Sequence, residues 1–119
     1  MKIVSIHEAA AEPFIHSVFT GPDVTRQELA PDISEFEVTV VNFGKSIQNK
    51  FHAHDSEQIL IVIAGEGIVA TQKEERTVSK GDVIFIPAGE AHWHGATSNA
   101  EFSHIFVQRK NCVLTQIEE

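Results

Sequence analysis

His52-Ala53-His54-Asp55-Ser56-Glu57-Gln58, followed by Gly81-Asp82-Val83-Ile84-Phe85-Ile86-Pro87-Ala88-Gly89-Glu90-Ala91-His92, decides the reading of this chain. The two-part pattern has the spacing of a metal site built on β-strands. Side chains alternate between the faces of a strand, so His52 and His54 share one face and Gln58 keeps the same parity. Three donors then converge on one ion. Glu57 is the rival oxygen donor, but its parity is opposite and only a β-bulge would turn it inward.

Outward from this segment, the apolar pattern has the period of strands. Phe36, Val38 and Val40 alternate with Glu37 and Thr39, and Asn42-Phe43-Gly44-Lys45 reads as a turn. Residues 58–63 are expected to form a strand buried on both faces or nearly so. Gly65-Glu66-Gly67 is expected to end it in a tight turn, with a hairpin partner in Ile68-Val69-Ala70-Thr71-Gln72. Further strands are expected around Thr77-Val78, at Val83-Ile84-Phe85-Ile86, over 102–108 and over 112–117. One short helical turn is expected at 5–11, where Ser5 and Glu8 have capping-box spacing and Pro13 ends the run. Many short strands with regular turn signals imply an all-β fold, a sandwich or barrel of the two-sheet jelly-roll type.

The chain has 119 residues, near the commonest size of a domain, and no Pro/Gly/Ser-rich linker divides it; residues 1–119 are read as one domain. A hydrophobic content of 42% supports a packed core even at a formal net charge of -8. That charge, with nine Lys and Arg residues in no basic run, argues against nucleic acid and anionic membranes as partners. Cys112 is the only cysteine, which excludes an internal disulfide framework and a Cys-rich zinc site and fits a cytoplasmic setting. It is read as a small packed hydrophobe near the last strand. The first eight residues lack the apolar core of a signal peptide, and no apolar run approaches the roughly twenty residues of a membrane span.

Gly44, His52-x-His54-x-x-x-Gln58 and Gly65 resemble the first cupin motif, at about 44–65. Gly81-(x5)-Pro87-x-Gly89-x-x-His92 resembles the second, at about 81–96, at nearly every position. Seven residues separate Gly44 from His52 where the family usually has five, Gln58 stands where it usually has Glu, and Ala96 replaces a common Asn. Within the family, Gln58 together with His92-Trp93-His94-Gly95-Ala96 and His104 is similar to a subgroup of small single-domain cupins. That subgroup includes carboxymuconolactone decarboxylase-associated cupins and manganese cupin hydroxynitrile lyases. The resemblance implies a double-stranded β-helix (jelly-roll) barrel, a homodimer, and a divalent metal held by His52, His54, Gln58 and His92, with manganese the metal of the resembled lyases. It also implies a functional role for His104.

Three imidazoles and one amide oxygen form a borderline donor set that suits Mn, Fe, Co, Ni, Cu or Zn. Because Gln58 is neutral, a bound divalent ion keeps its full formal charge, which strengthens its Lewis acidity and disfavours a trivalent state. Polar Lewis-acid chemistry is expected over oxygen activation. His94 shares the parity of His92, and His104 sits between Phe102 and Phe106 on one face of a later strand, so both are expected inside the barrel as acid/base candidates. Trp93 has opposite parity and reads as a packing or interface residue; His7 and His16 read as surface or local-contact residues. Phe36, Val40, Leu60, Val62, Phe102 and Phe106 are the expected cavity lining, and no Lys or Arg has an evident inward position. The pocket is therefore expected to take a small, partly apolar, oxygen-bearing molecule rather than a sugar phosphate. Three functions stay open at this stage: a lyase or isomerase, a dioxygenase, and a non-catalytic metabolite-binding module. The apolar segments 3–6 and 112–117 are expected to cover exposed strand edges in a dimer.

Overall fold

β-Branched and aromatic residues dominate the regular segments, and the chain is extended through most of them. The computed structural model describes residues 1–119 and contains ten strands: β1 Glu12–Pro13, β2 Val24–Glu28, β3 Phe36–Phe43, β4 His52–His54, β5 Gln58–Thr71, β6 Glu75–Ser79, β7 Val83–Ile86, β8 His92–Ala96, β9 Phe102–Arg109 and β10 Leu114–Gln116. All pair antiparallel. One sheet runs β1-β2-β3-β9-β5 with β7 also on β5, and the other runs β5-β8-β4-β10 with β6 on β5. β5 belongs to both sheets and closes them into a curled barrel. This is the all-β jelly-roll architecture expected from the strand pattern.

The long β5 departs from that expectation in one respect. Gly65-Glu66-Gly67 does not reverse the chain; the strand runs through it for 14 residues. Gly65 has φ +78°, and a register shift against β9 lies between Val62 and Ala64. The glycine therefore serves a bulge that bends the strand from one sheet into the other, a use that shares its local signal with a tight turn. A Cβ at Gly65 would also overlap the Glu101 carbonyl oxygen. Gly65→Ala is expected to destabilise the protein by at least about 1 kcal/mol, seen as a fall of several degrees in thermal midpoint. An unchanged midpoint would show that the strand can straighten there.

In β3 the inward face is the other one. Cross-strand partners share a face, and the pairs Glu37↔Gln108, Thr39↔Phe106, Val41↔His104 and Phe43↔Phe102 place the odd-numbered residues inside. Phe36 is half exposed on the outer face. Val40 is fully buried there, on the face of its partner Gln27, whose amide donates to the carbonyls of Ile6 and Ala9. The N-terminal segment thus covers the outside of β3, which made both faces apolar and hid the parity. The strand also continues through Asn42 and Phe43, which were expected in a turn. Asn42 donates to Thr25 Oγ1 at 3.1 Å and accepts from Ser103 Oγ at 2.7 Å, a polar rung across three strands.

The expected helical turn at 5–11 is a single turn, in which the amides of Glu8 and Ala9 both donate to Ser5 O at 3.1 Å. So short a segment does not repay helix nucleation, and Glu12–Pro13 is already strand. The core comprises Val24, Val41, Phe43, Leu60, Val62, Val78, Ile86, Ala96, Phe102 and Phe106. Phe43 and Phe102 stack with centroids 6.0 Å apart. β10 pairs with β4, so the C-terminal segment covers that strand edge within its own chain.

Candidate metal centre and adjoining cavity

The site is assembled from the two motifs by strand pairing. β4 presents His52 and His54 to the interior, and His92 of β8 is the cross-strand partner of His52. All three are buried, and one ligand nitrogen from each lies within 4.8 Å of the others. Ring centroids are 4.3 Å apart for His52 and His92, 5.0 Å for His52 and His54, and 5.7 Å for His54 and His92.

Backbone carbonyls set the tautomers. His52 Nδ1–H donates to Lys50 O at 2.7 Å, and His92 Nδ1–H donates to Glu90 O at 2.8 Å. Each ring then carries its lone pair on Nε2, the form that ligates a metal. Burial holds the pKa of His52 down to about 3 and that of His54 to about 4, with His92 beside each adding to the effect. His92 is lowered as well, chiefly by burial. The three are therefore neutral at physiological pH.

His92 Nε2, both nitrogens of His54 and Gln58 Oε1 are buried without a hydrogen-bond partner. Gathered lone pairs with no donor are costly in a protein interior, and a cation compensates them. The donor set fits a divalent metal ion. Gln58, the first residue of β5, is buried and lines the same cavity as His52 and His54. Glu57 is exposed, so no bulge brings it inward.

The cavity measures about 210 Å³. His94 and His104, both expected inside, line it; His104 Nε2 lies 3.2 Å from His94 Nδ1. Burial depresses both pKa values, that of His104 to about 4, while His104 beside His94 depresses the latter further. His94 also stacks on His92 at 5.7 Å, so the histidine pair adjoins the triad. Trp93 faces the other way and is half-buried.

The walls differ from those expected. Phe106 is in the lining, but Leu60, Val62 and Phe102 sit in the packed core, and Phe36 and Val40 belong to the outer face. Val41 and Phe43 take their place, with Phe14, Phe19 and Leu114. His16 also reaches the lining while its Nδ1 accepts from Val18 N–H at 2.9 Å. Cys112 is half-buried in the lining, its thiol pKa raised by burial. No Lys or Arg lines the cavity.

Three further residues escaped the sequence reading. Asn49 accepts the His94 amide N–H on Oδ1 at 2.7 Å and donates its own N–H to His94 O at 2.9 Å, fixing the backbone under that ring. Gln108 and Glu37 also line the cavity. Gln108 could have been found, since it continues the parity of His104 and Phe106. Asn49 precedes β4 in a loop, where parity gives no signal.

The lowered histidine pKa values carry a sign for metal-free protein. Below the unfolded-chain value of 6.5, the unfolded state binds protons that the folded state refuses. Stability is complete above pH 6.5, declines as pH falls towards about 4 and then 3, and levels off below. Each such histidine contributes a slope of up to about 1.4 kcal/mol per pH unit inside that window. The urea midpoint of metal-free protein is expected to fall between about pH 7.5 and pH 5; a flat profile would mean the rings are charged in the folded state.

Two antiparallel sheets closed around converging histidines define a small metal-binding β-barrel. The chain belongs to the cupin family: residues 39–107 match the Cupin domain model. (R)-mandelonitrile lyase of Granulicella tundricola is 34% identical over 84 residues, 68% of this chain and 63% of that protein. Mannose-6-phosphate isomerase 1 of Arabidopsis thaliana is 33% identical over 67 residues, 56% of this chain. The chain spans 63% of the first relative and 15% of the second. Among solved structures, a cupin-like protein of Thermotoga maritima superposes with TM-score 0.86 at 29% identity, covering 97% of this chain and 90% of that one. The polyketide cyclase RemF of Streptomyces resistomycificus shares the fold, with TM-score 0.88 at 20% identity over 100% of this chain and 87% of that one.

Proposed function

We propose that this protein is a metal-dependent lyase acting on small, partly apolar hydroxyl or carbonyl compounds, with cyanohydrins as the leading substrate class. The observation that carries the reading is a cluster of three neutral imidazoles beside an unpaired amide oxygen, of which His52, His54 and Gln58 share one cavity with a separate buried histidine pair. His52, His54, His92 and Gln58 would hold the ion, taken as manganese by resemblance to the cupin hydroxynitrile lyases. A divalent ion there supplies Lewis acidity to a substrate oxygen.

The remaining work falls to the chain itself. His104, relayed to His94, accepts the hydroxyl proton of a cyanohydrin as the bond to the nitrile carbon breaks. That electron pair leaves with cyanide, a carbonyl compound remains, and the proton returns to give hydrogen cyanide. Burial keeps His104 uncharged at neutral pH, so it begins as a proton acceptor. Val41, Phe43 and Phe106 give the cavity an apolar wall for the rest of the substrate. The similarity to (R)-mandelonitrile lyase supports this class, while the absence of Lys and Arg from the cavity disfavours a phosphorylated sugar.

The test is release of benzaldehyde from mandelonitrile by protein of measured metal content, with and without oxygen. Turnover above the spontaneous rate, equal in both atmospheres, is expected. Complete loss without oxygen would place the protein among the dioxygenases. Tight ligand binding without turnover of any cyanohydrin would make it a binding module.

The chain is further read as a cytoplasmic homodimer. An outer groove of about 470 Å³ includes Phe36 and Phe85, which are 50% and 72% exposed. A monomer mass in sedimentation velocity would remove the dimer.

A further inference from the structure

Gln58 differs from an imidazole ligand in one respect: its amide has two ends. Oε1 can face a cation, whereas a flipped amide would aim N–H donors at it. Something must choose between them. The strand register supplies a candidate, because Gln108 of β9 is the cross-strand partner of both Glu37 on β3 and Gln58 on β5. The three side chains form a row across the inner face of one sheet.

Their hydrogen bonds run in one direction. Gln58 Nε2 donates to Gln108 Oε1 at 3.0 Å, and Gln108 Nε2 donates to Glu37 Oε1 at 3.4 Å. Burial and the nearby Glu28 raise the Glu37 pKa, opposed by Arg26, Lys110 and the bond from Gln108, and in its ionised form the carboxylate only accepts. With Glu37 as the terminus, Gln108 must turn its N–H₂ towards Glu37 and its oxygen towards Gln58. Gln58 must then turn its N–H₂ away from the histidines, which leaves Oε1 buried and unpaired in the cavity.

We propose that Glu37 and Gln108 are positioning residues that orient the Gln58 amide and strengthen Oε1 as a metal donor. The proposal rests on the reading of Gln58 as a ligand. Its second part follows from amide resonance: hydrogen bonds polarise one another along a chain, and donation from Nε2 towards a negative terminus moves electron density onto Oε1. A formally neutral ligand thus acquires part of the donor strength that a carboxylate would bring, while the charge itself stays two side chains away.

The test is the Kd of Mn(II) for the full chain, measured by chelator competition, with the electron paramagnetic resonance spectrum of bound Mn(II) as a second readout. Gln108→Leu is expected to weaken Mn(II) binding by about 10–100-fold and to change the spectrum. Gln108→Glu, which keeps an acceptor facing Gln58, is expected to retain affinity. In a Gln58→Leu background, adding Gln108→Leu is expected to cost nothing further.

An unchanged Kd in Gln108→Leu would overturn the relay, as would the same loss with and without Gln58. No effect of Gln58→Leu by itself would instead overturn the ligand reading. Where Gln108→Leu fails to fold, Glu37→Leu applies the same test at a half-buried position, with a loss of affinity expected and no loss overturning the relay.

Discussion

His52→Ala is expected to leave the protein unable to retain a divalent metal, and to do so with the largest effect of any single change in the site. His52 has His92 as its strand partner and His54 two residues away, and its ring lies within 5.0 Å of both. Its Nδ1–H is tied to Lys50 O, so the ring is already oriented and little ordering remains to be done on binding. Losing such a donor should exceed the roughly 10–100-fold cost typical of outer-shell partners.

Metal analysis of the purified variant checks this directly, and thermal melting adds an independent view. A ligand that binds only the folded state stabilises it by mass action, by about 2.7 kcal/mol when present at a hundred times its Kd. Chelation should therefore lower the midpoint of the unaltered protein and leave that of His52→Ala unmoved. Full metal occupancy in the variant would remove His52 from the ligand set.

His104→Ala is expected to act on turnover without acting on the metal. His104 is fully buried, lies outside the triad, and meets His94 through its Nε2, while its Nδ1 has no partner. A side chain so placed can carry a proton and lies outside the proposed ligand set. Loss of a general acid/base costs about 10²–10⁴-fold in rate, and kcat is expected to fall in that range at unchanged metal content. His104→Asn sharpens the result, since an amide can keep a hydrogen bond to His94 yet cannot exchange a proton at neutral pH. Equal loss in both variants assigns proton transfer; activity retained in the Asn variant alone would make His104 a positioning residue. Activity retained in both would exclude it from the mechanism.

Much of the site was legible because strand parity is a strictly local property. His52 and His54, His92 and His94, and His104 with Phe102 and Phe106 each share a face by spacing alone, and each set is found inside. The same rule went astray in β3, where Phe36, Val38 and Val40 form an alternating set on the outer face. Both faces of β3 are apolar because residues near Ile6 and Ala9 cover the outside, and that cover lies some thirty residues away in sequence. Gly65 misled for a related reason. A positive φ serves a turn or a bulge equally well, and only the continuing pairs of β5 with β8 and β9 distinguish them.

By itself, the sequence determined the all-β class and the inward parity of the histidines and of Gln58, and its two motifs pointed to the barrel by resemblance. The class and the parity follow from short-range periodicity. The tertiary structure decided which residues line the cavity, that β10 covers an edge of its own chain, and that His94 and His104 meet. It also placed Gln58, Gln108 and Glu37 in one hydrogen-bonded row. Those relations depend on cross-strand register, which is fixed by pairing between segments far apart in the chain and leaves no periodic trace within any one of them.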